Sequence, residues 1–161
     1  MSLISNSLQQ QVPRWLLVSI RLIQGPMWIG TGWYWVNAAN AASEIEQQIA
    51  GVIEQGRTYA FYLPFLEHIV LPNVDFFAIM VTAGELFIGV TLTLGLTTRL
   101  GAMVGIFVAA NYACLYGNPL FPLEGNWLYA GYLLPVLLGA AGRSFGVDYW
   151  LHRRWPHVPV W

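Results

Sequence analysis

Residues 76–96 read FFAIMVTAGELFIGVTLTLGL and residues 100–116 read LGAMVGIFVAANYACLY, with Thr97, Thr98 and Arg99 between them. The first run carries a single charge, Glu85, and the second carries none. About 20 mostly apolar residues cross the roughly 30 Å of a bilayer's hydrocarbon. The pair therefore predicts a helical hairpin through a membrane. Working outward, two further apolar runs lie at about 15–36 and 127–141, the last of them short. The fold expected is all-α: an integral membrane four-helix bundle forming one domain over 1–161, with a long outer loop at about 37–74.

Composition excludes the main alternatives. The 161 residues are 57% hydrophobic and only 9% charged, where soluble domains carry roughly a quarter charged residues. Mean hydropathy is +0.53. Disorder does not fit a chain that is 15% aromatic. A net charge of −1 offers no basic surface for nucleic acid. The lone cysteine, Cys114, has no second thiol for an internal disulfide. A cleaved leader is also not expected, because the first apolar run is long and is interrupted by Arg21 and Pro26.

All seven basic residues are arginines. With four spans, Arg14, Arg99, Arg143, Arg153 and Arg154 share one side and Arg57 alone stands on the other. The positive-inside rule then places both termini in the cytoplasm of a multi-pass protein of the cell inner membrane. Trp15, Trp33, Trp35, Trp127, Tyr129, Tyr149 and Trp150 fall near span ends, where such rings favour the headgroup layer.

In the outer loop, Ser43 followed by Glu46 reads as a capping box. Ile45, Ile49, Val52 and Ile53 then share one face of a short amphipathic helix ending near Gly56. Its acidic character favours packing on protein over packing on lipid. Pro64 and Pro72 predict a broken, re-entrant or interfacial segment at 59–72.

Two charges fall inside spans, Arg21 in the first and Glu85 in the second. An isolated charge at such depth costs at least ~2.5–3.5 kcal/mol, so such residues pair or face a polar cavity. An Arg21–Glu85 ion pair is expected, acting either as a lock between the first two helices or as a proton or substrate site with Arg21 and Glu85 as catalytic candidates. Pro26 predicts a kink near Leu22. Tyr34, Thr82, Asn111 and Tyr112 add polar groups suited to binding a quinone headgroup, or else to hydrogen-bonding between helices. Gly101, Gly105, Ala109 and Ala113 form a small-residue stripe for internal packing or a homodimer seam. Pro135 predicts a kink in the fourth helix. Glu67, His68, His152 and His157 do not assemble a metal-ligand pattern, and no covalent-cofactor motif is present.

Several stretches resemble the DoxX/DoxD family of small membrane proteins. Arg21-Leu22-Ile23-Gln24-Gly25 with Gly30-Thr31-Gly32 is similar to the family's opening helix. The segment 65–73 and Gly84-Glu85-Leu86, Gly89 and Leu94-Gly95-Leu96-Thr97-Thr98-Arg99 resemble its second helix and following turn, and the segment 141–148 resembles its exit from the fourth. Trp33-Tyr34-Trp35-Val36-Asn37 departs from the usual end of the first helix, a small residue plus lysine. The resemblance implies a four-helix bundle with Arg21 and Glu85 as its intramembrane charges. Because DoxD is the membrane subunit of thiosulfate:quinone oxidoreductase, it also implies a subunit of a respiratory or redox complex. Such a subunit would contribute a quinone-facing site for electrons from a periplasmic donor such as thiosulfate, with membrane lipid and other protein subunits as partners. The alternative is a non-catalytic scaffold or accessory subunit of a larger membrane assembly. A transporter is less expected, since no inverted repeat is visible.

Overall fold

The computed structural model describes residues 13–117, 125–139, 141–143 and 145–157, and these are helical with no strand among them. Helix α1 spans Arg14–Asn37 and α2 spans Ala41–Glu54. A short α3, Leu63–Phe65, passes through a π turn at Leu66–Val70 and a 3-10 turn at Leu71–Asn73 into α4, Val74–Leu94. Helix α5 is Thr98–Tyr116 and α6 is Gly125–Leu138; a 3-10 turn at Ala141–Arg143 leads towards α7, Val147–Arg154.

Helix α1 lies along α4, α4 packs on α5, and α5 packs on α6, which also touches α1. Glycines bring the first pair close. A methyl group at Gly25 would stand 2.8 Å from the Thr93 amide nitrogen, one at Gly32 would meet Leu86, and one at Gly89 would stand 2.6 Å from the Ile29 nitrogen. These contacts fix an antiparallel register that places 25 beside 93, 29 beside 89 and 32 beside 86. The small-residue stripe of α5 is buried within the fold: Gly101 faces Thr91 of α4, and Gly105 faces Ile88 of α4 and Leu133 of α6. Leu17, Trp28, Ile88, Leu92, Leu133 and Val136 complete this core.

Helix α2 packs on protein, as its acidic face led one to expect. Ile45, Ile49 and Val52 join Leu66, Val70, Ala78 and Leu115 in a second apolar cluster. Its start differs from the expected capping box. Asn40 is the N-cap, its side chain accepting from the Ser43 amide at 3.1 Å, while the Ser43 hydroxyl is taken by Gln47 at 3.2 Å. The helix ends at Glu54, and Gly56 just beyond its cap has a φ of +65°, which suits glycine.

The expected break at 59–72 is instead a change of winding that runs on into α4. Pro64 and Pro72 occupy first-turn positions of their segments, where the missing N–H has no helical partner to lose. Pro26 and Pro135 lie inside α1 and α6, which stay helical through them. Helix α6 begins at Gly125 and ends at Leu138, short of the expected 141. Glu124, between α5 and α6, lies outside the described residues.

Among the described residues, two helical stretches are long and apolar enough to cross a membrane, Leu63–Leu94 and Thr98–Tyr116. Helix α1 is long enough, but Arg21, Gln24 and its aromatic residues dilute its apolar character. Ile23, Ile79, Val90, Met103, Phe107, Leu134 and Leu138, drawn from α1, α4, α5 and α6, point their side chains outward. Soluble monomers rarely leave so much contiguous apolar surface uncovered.

Candidate functional site

A cavity of about 710 Å³ lies between α1, α4 and α5 at the end of the fold covered by α2. Its walls are mainly apolar, with Met27, Phe65, Phe77, Val81 and Val104 among them. Phe76, Met80 and Phe107 line it and are also exposed, so it reaches the outer surface between α4 and α5.

Glu85 is the charged side chain in this wall, and it is only 2% exposed. It projects from the middle of α4, and its Oε1 accepts the Tyr112 hydroxyl of α5 at 2.5 Å. Its Oε2 is buried with no hydrogen-bond partner among the described residues. One oxygen is therefore anchored, and Thr31 of α1, also in the cavity wall, lies within reach of the carboxyl.

Above Glu85 stands a tier of paired polar groups. Tyr62 donates to Asn111 Oδ1 at 2.7 Å, and Asn111 donates its amide to the Phe107 carbonyl at 2.7 Å. Tyr116 donates to Gln48 Oε1 at 2.9 Å, and Tyr34 donates to Glu44 Oε2 at 2.8 Å. The last two bonds tie α2 down over the cavity. Burial pushes the Tyr62 phenol up to about 12, so it stays a neutral donor across the physiological range.

Of the residues expected at a site, Tyr34, Glu85, Asn111 and Tyr112 meet in this cavity. Thr82 does not line it; its hydroxyl bonds the Ala78 carbonyl one turn back, at 2.8 Å. Gln48, Tyr62 and Tyr116 were not anticipated. Gln48 adjoins Ile49 on the inward side of α2, and Tyr116 lies one turn after Tyr112. That adjacency and that spacing were the available signals.

Arg21 is elsewhere. The register of α1 on α4 places Glu85 opposite residue 33, about twelve residues from Arg21 along α1, or roughly 18 Å at 1.5 Å per residue. The expected ion pair does not form, because counting depth from helix ends ignored how the two helices slide along each other. Arg21 is 1% exposed and reaches across to the segment after α6, donating from Nη1 to the Ala141 carbonyl at 3.2 Å and from Nη2 to the Phe145 carbonyl at 2.7 Å.

Asp148 is buried beside it. Its carboxylate accepts the Thr97 amide at 2.6 Å and the Thr98 amide at 2.8 Å, and its own amide donates to the Gly95 carbonyl at 2.8 Å. The first amides of a helix have no intrahelical acceptor. Asp148 supplies that acceptor to α5 from far along the chain. Gly95 allows the turn with a φ of +66°.

The charged ends agree with the arginine count. Arg14, Arg143 and the Arg21–Asp148 knot gather at one end, whereas Arg57 reaches the Tyr116 carbonyl at the other. A family model described as DoxX matches residues 16–116 of the chain. No curated protein and no solved structure matches it.

Proposed function

The chain belongs to the DoxX family, and from that premise we propose that it is the quinone-facing membrane subunit of a redox complex, with the cavity around Glu85 as the quinone site. In this reading α1, α4, α5 and α6 all cross the bilayer. The outward apolar side chains on all four helices support it. The arginine-rich end lies in the cytoplasm of the inner membrane, and α2 faces the outside.

The observation that carries the proposal is the buried Glu85 carboxyl, its Oε2 without a hydrogen bond among the described residues, in a wide, mainly apolar cavity open beside exposed phenylalanines. Its volume falls in the usual range for small-molecule pockets, roughly 300–1,000 Å³. A quinone matches the donor set, with two carbonyl oxygens that accept hydrogen bonds and an apolar tail suited to the gap between α4 and α5.

When bound, a quinone takes up two electrons and two protons. The chain's own contribution is at the proton. Arg21 is too distant to pair with Glu85, so in this reading the neutral carboxyl would pass one of the two protons from Oε2 to a guest's oxygen, and the second proton would come from outside the cavity. Tyr112 fixes the carboxyl by holding Oε1, and Asn111 and Tyr62 brace the wall above it. Electrons must come from a donor held by another subunit.

The test is binding of a short-tailed ubiquinone analogue to the protein in lipid nanodiscs, read by quenching of tryptophan fluorescence. Saturable binding in the micromolar range is expected, weakened at least tenfold by Glu85→Gln. Absence of saturable binding to the folded protein would overturn the quinone site and leave an accessory helix bundle of a larger assembly as the reading.

A further inference from the structure

A second concavity lies at the opposite end of the fold from the cavity, and its chemistry is different. A groove of about 610 Å³ runs between the start of α1, the end of α4 and the segment leading into α7. Arg14 and Arg143 line it together with Leu94, Phe145, Tyr149 and Trp150. We propose that this groove holds the phosphate of an anionic phospholipid, with the acyl chains lying along Leu94 and the outward apolar face of α4.

Charge complementarity is the first argument. Arg14, Arg99, Arg143, Arg153 and Arg154 belong to this end of the chain's described part, and Asp148 is the acidic residue there. Asp148 is 1% exposed and engaged by the Thr97 and Thr98 amides, and its single charge offsets only part of that of the arginines. Burial, and then the neighbouring Arg99 charge, hold the Arg143 guanidinium below the ordinary arginine value. An anion in the groove would relieve that crowding. Two guanidinium groups can grip phosphate oxygens through paired N–H donors, which suits arginine better than lysine.

The second argument is the groove's lip. Phe145 is 90% exposed and Trp150 is 69% exposed, while Leu94 is half exposed at the last turn of α4. Arg153 sits over the Tyr149 ring at 5.7 Å. Cations, amphipathic rings and an aliphatic side chain thus follow one another as headgroup, interface and hydrocarbon do in a leaflet. A soluble phosphate metabolite would have no use for the exposed apolar lip, so the lipid is the occupant to which the geometry points. The inference does not depend on what the cavity at Glu85 binds.

The full-length chain, purified in mild detergent, is titrated with dioleoyl phosphatidylglycerol, dioleoyl phosphatidylcholine and inorganic phosphate, and bound molecules are counted by native mass spectrometry. Phosphatidylglycerol should be retained in preference to phosphatidylcholine. Removing one arginine near an anionic headgroup corresponds to roughly a fivefold loss, and removing two to roughly a 20- to 30-fold loss. Arg14→Gln should therefore weaken phosphatidylglycerol about fivefold, and the double variant with Arg143→Gln correspondingly more. Arg57→Gln, at the other end, should change nothing. Arg14 is exposed at a helix start, so its single variant decides the matter if the double variant does not fold. Equal retention of the two lipids, equal loss with Arg57→Gln, or binding of inorganic phosphate without phosphatidylglycerol would each overturn the proposal.

Discussion

Tyr112 of α5 donates its hydroxyl to Glu85 of α4 at 2.5 Å, joining two neighbouring helices in the wall of the cavity. The bond fixes one carboxyl oxygen, and the other makes no hydrogen bond among the described residues. Packing holds the helices together, while this contact decides which way the acid points.

Tyr112→Phe removes that anchor and keeps the ring. The loss of one buried hydrogen bond should lower stability by about 1–3 kcal/mol, seen as a fall in the thermal unfolding midpoint in detergent. Binding of the ubiquinone analogue should weaken as well, because Glu85 loses its fixed direction. Thr82→Val, in a residue outside the wall, should leave the affinity unchanged. If the two variants behaved alike, the cavity would not be the binding site.

Glycine offers a cleaner separation of fold from function. A methyl group at Gly84 meets nothing within 4 Å, and Gly84 lines the cavity. Gly84→Leu should therefore fold with an unchanged unfolding midpoint while abolishing quinone-analogue binding by occupying the space. Gly25→Ala, by contrast, drives a methyl group into the Thr93 backbone. Overpacking of this kind costs about 1–3 kcal/mol, and the variant should unfold at a lower temperature.

Asp148→Ala should be among the most damaging single changes outside the cavity. It strands two helix-start amides, one of them buried, and removes the acid beside the Arg21 guanidinium. A loss of about 3–5 kcal/mol is expected for breaking a buried charged contact of this kind. Asp148→Asn, which keeps one acceptor oxygen, should fall between. Both are read by thermal unfolding, and a wild-type midpoint for Asp148→Ala would refute the capping role.

The arginine-rich end also predicts a pH response. Burial, then Arg143 and Arg99, lower His152 below its ordinary value of 6.5. The unfolded chain therefore takes up its proton first as pH falls, and stability is lost progressively below about 6.5, levelling off once the folded form is protonated too. The unfolding midpoint should drop between pH 7 and 5.5 in the wild type. His152→Gln should flatten that part of the profile, and an unchanged slope would show that another group is responsible.

Much of this was legible in the sequence, and the part that was not has a common cause. The apolar runs at 76–96 and 100–116 and the inward isoleucines of α2 are local periodicities, and they were read correctly. Tyr34, Glu85, Asn111 and Tyr112 could be grouped because each is a polar residue at compatible depth. Local pattern does not carry relative sliding, however. Gly25, Gly32 and Gly89 set the α1–α4 register through close approach, and nothing in a single sequence says which glycine meets which partner. Arg21 was matched with the only other charge in view, whereas its acceptors include the backbone carbonyls at 141 and 145, which carry no side-chain signature. Asn40 displaced Ser43 as the cap for a similar reason: both are good caps, and the chain's approach to α2 chooses between them.

The tie from Asp148 to Thr97 and Thr98 has a consequence in time. The ribosome releases the start of α5 about fifty residues before it releases the group that satisfies it. Until then the two amides depend on water, and the turn between α4 and α5 must wait at the bilayer's edge. Arg21 waits longer still, since its acceptors also emerge after α6. The fastening of the first three long helices is thus completed by a stretch made near the end of synthesis. A nascent chain stopped before residue 141 should have its long helices written but the clasp between them open, an early product for quality-control proteases to recognise.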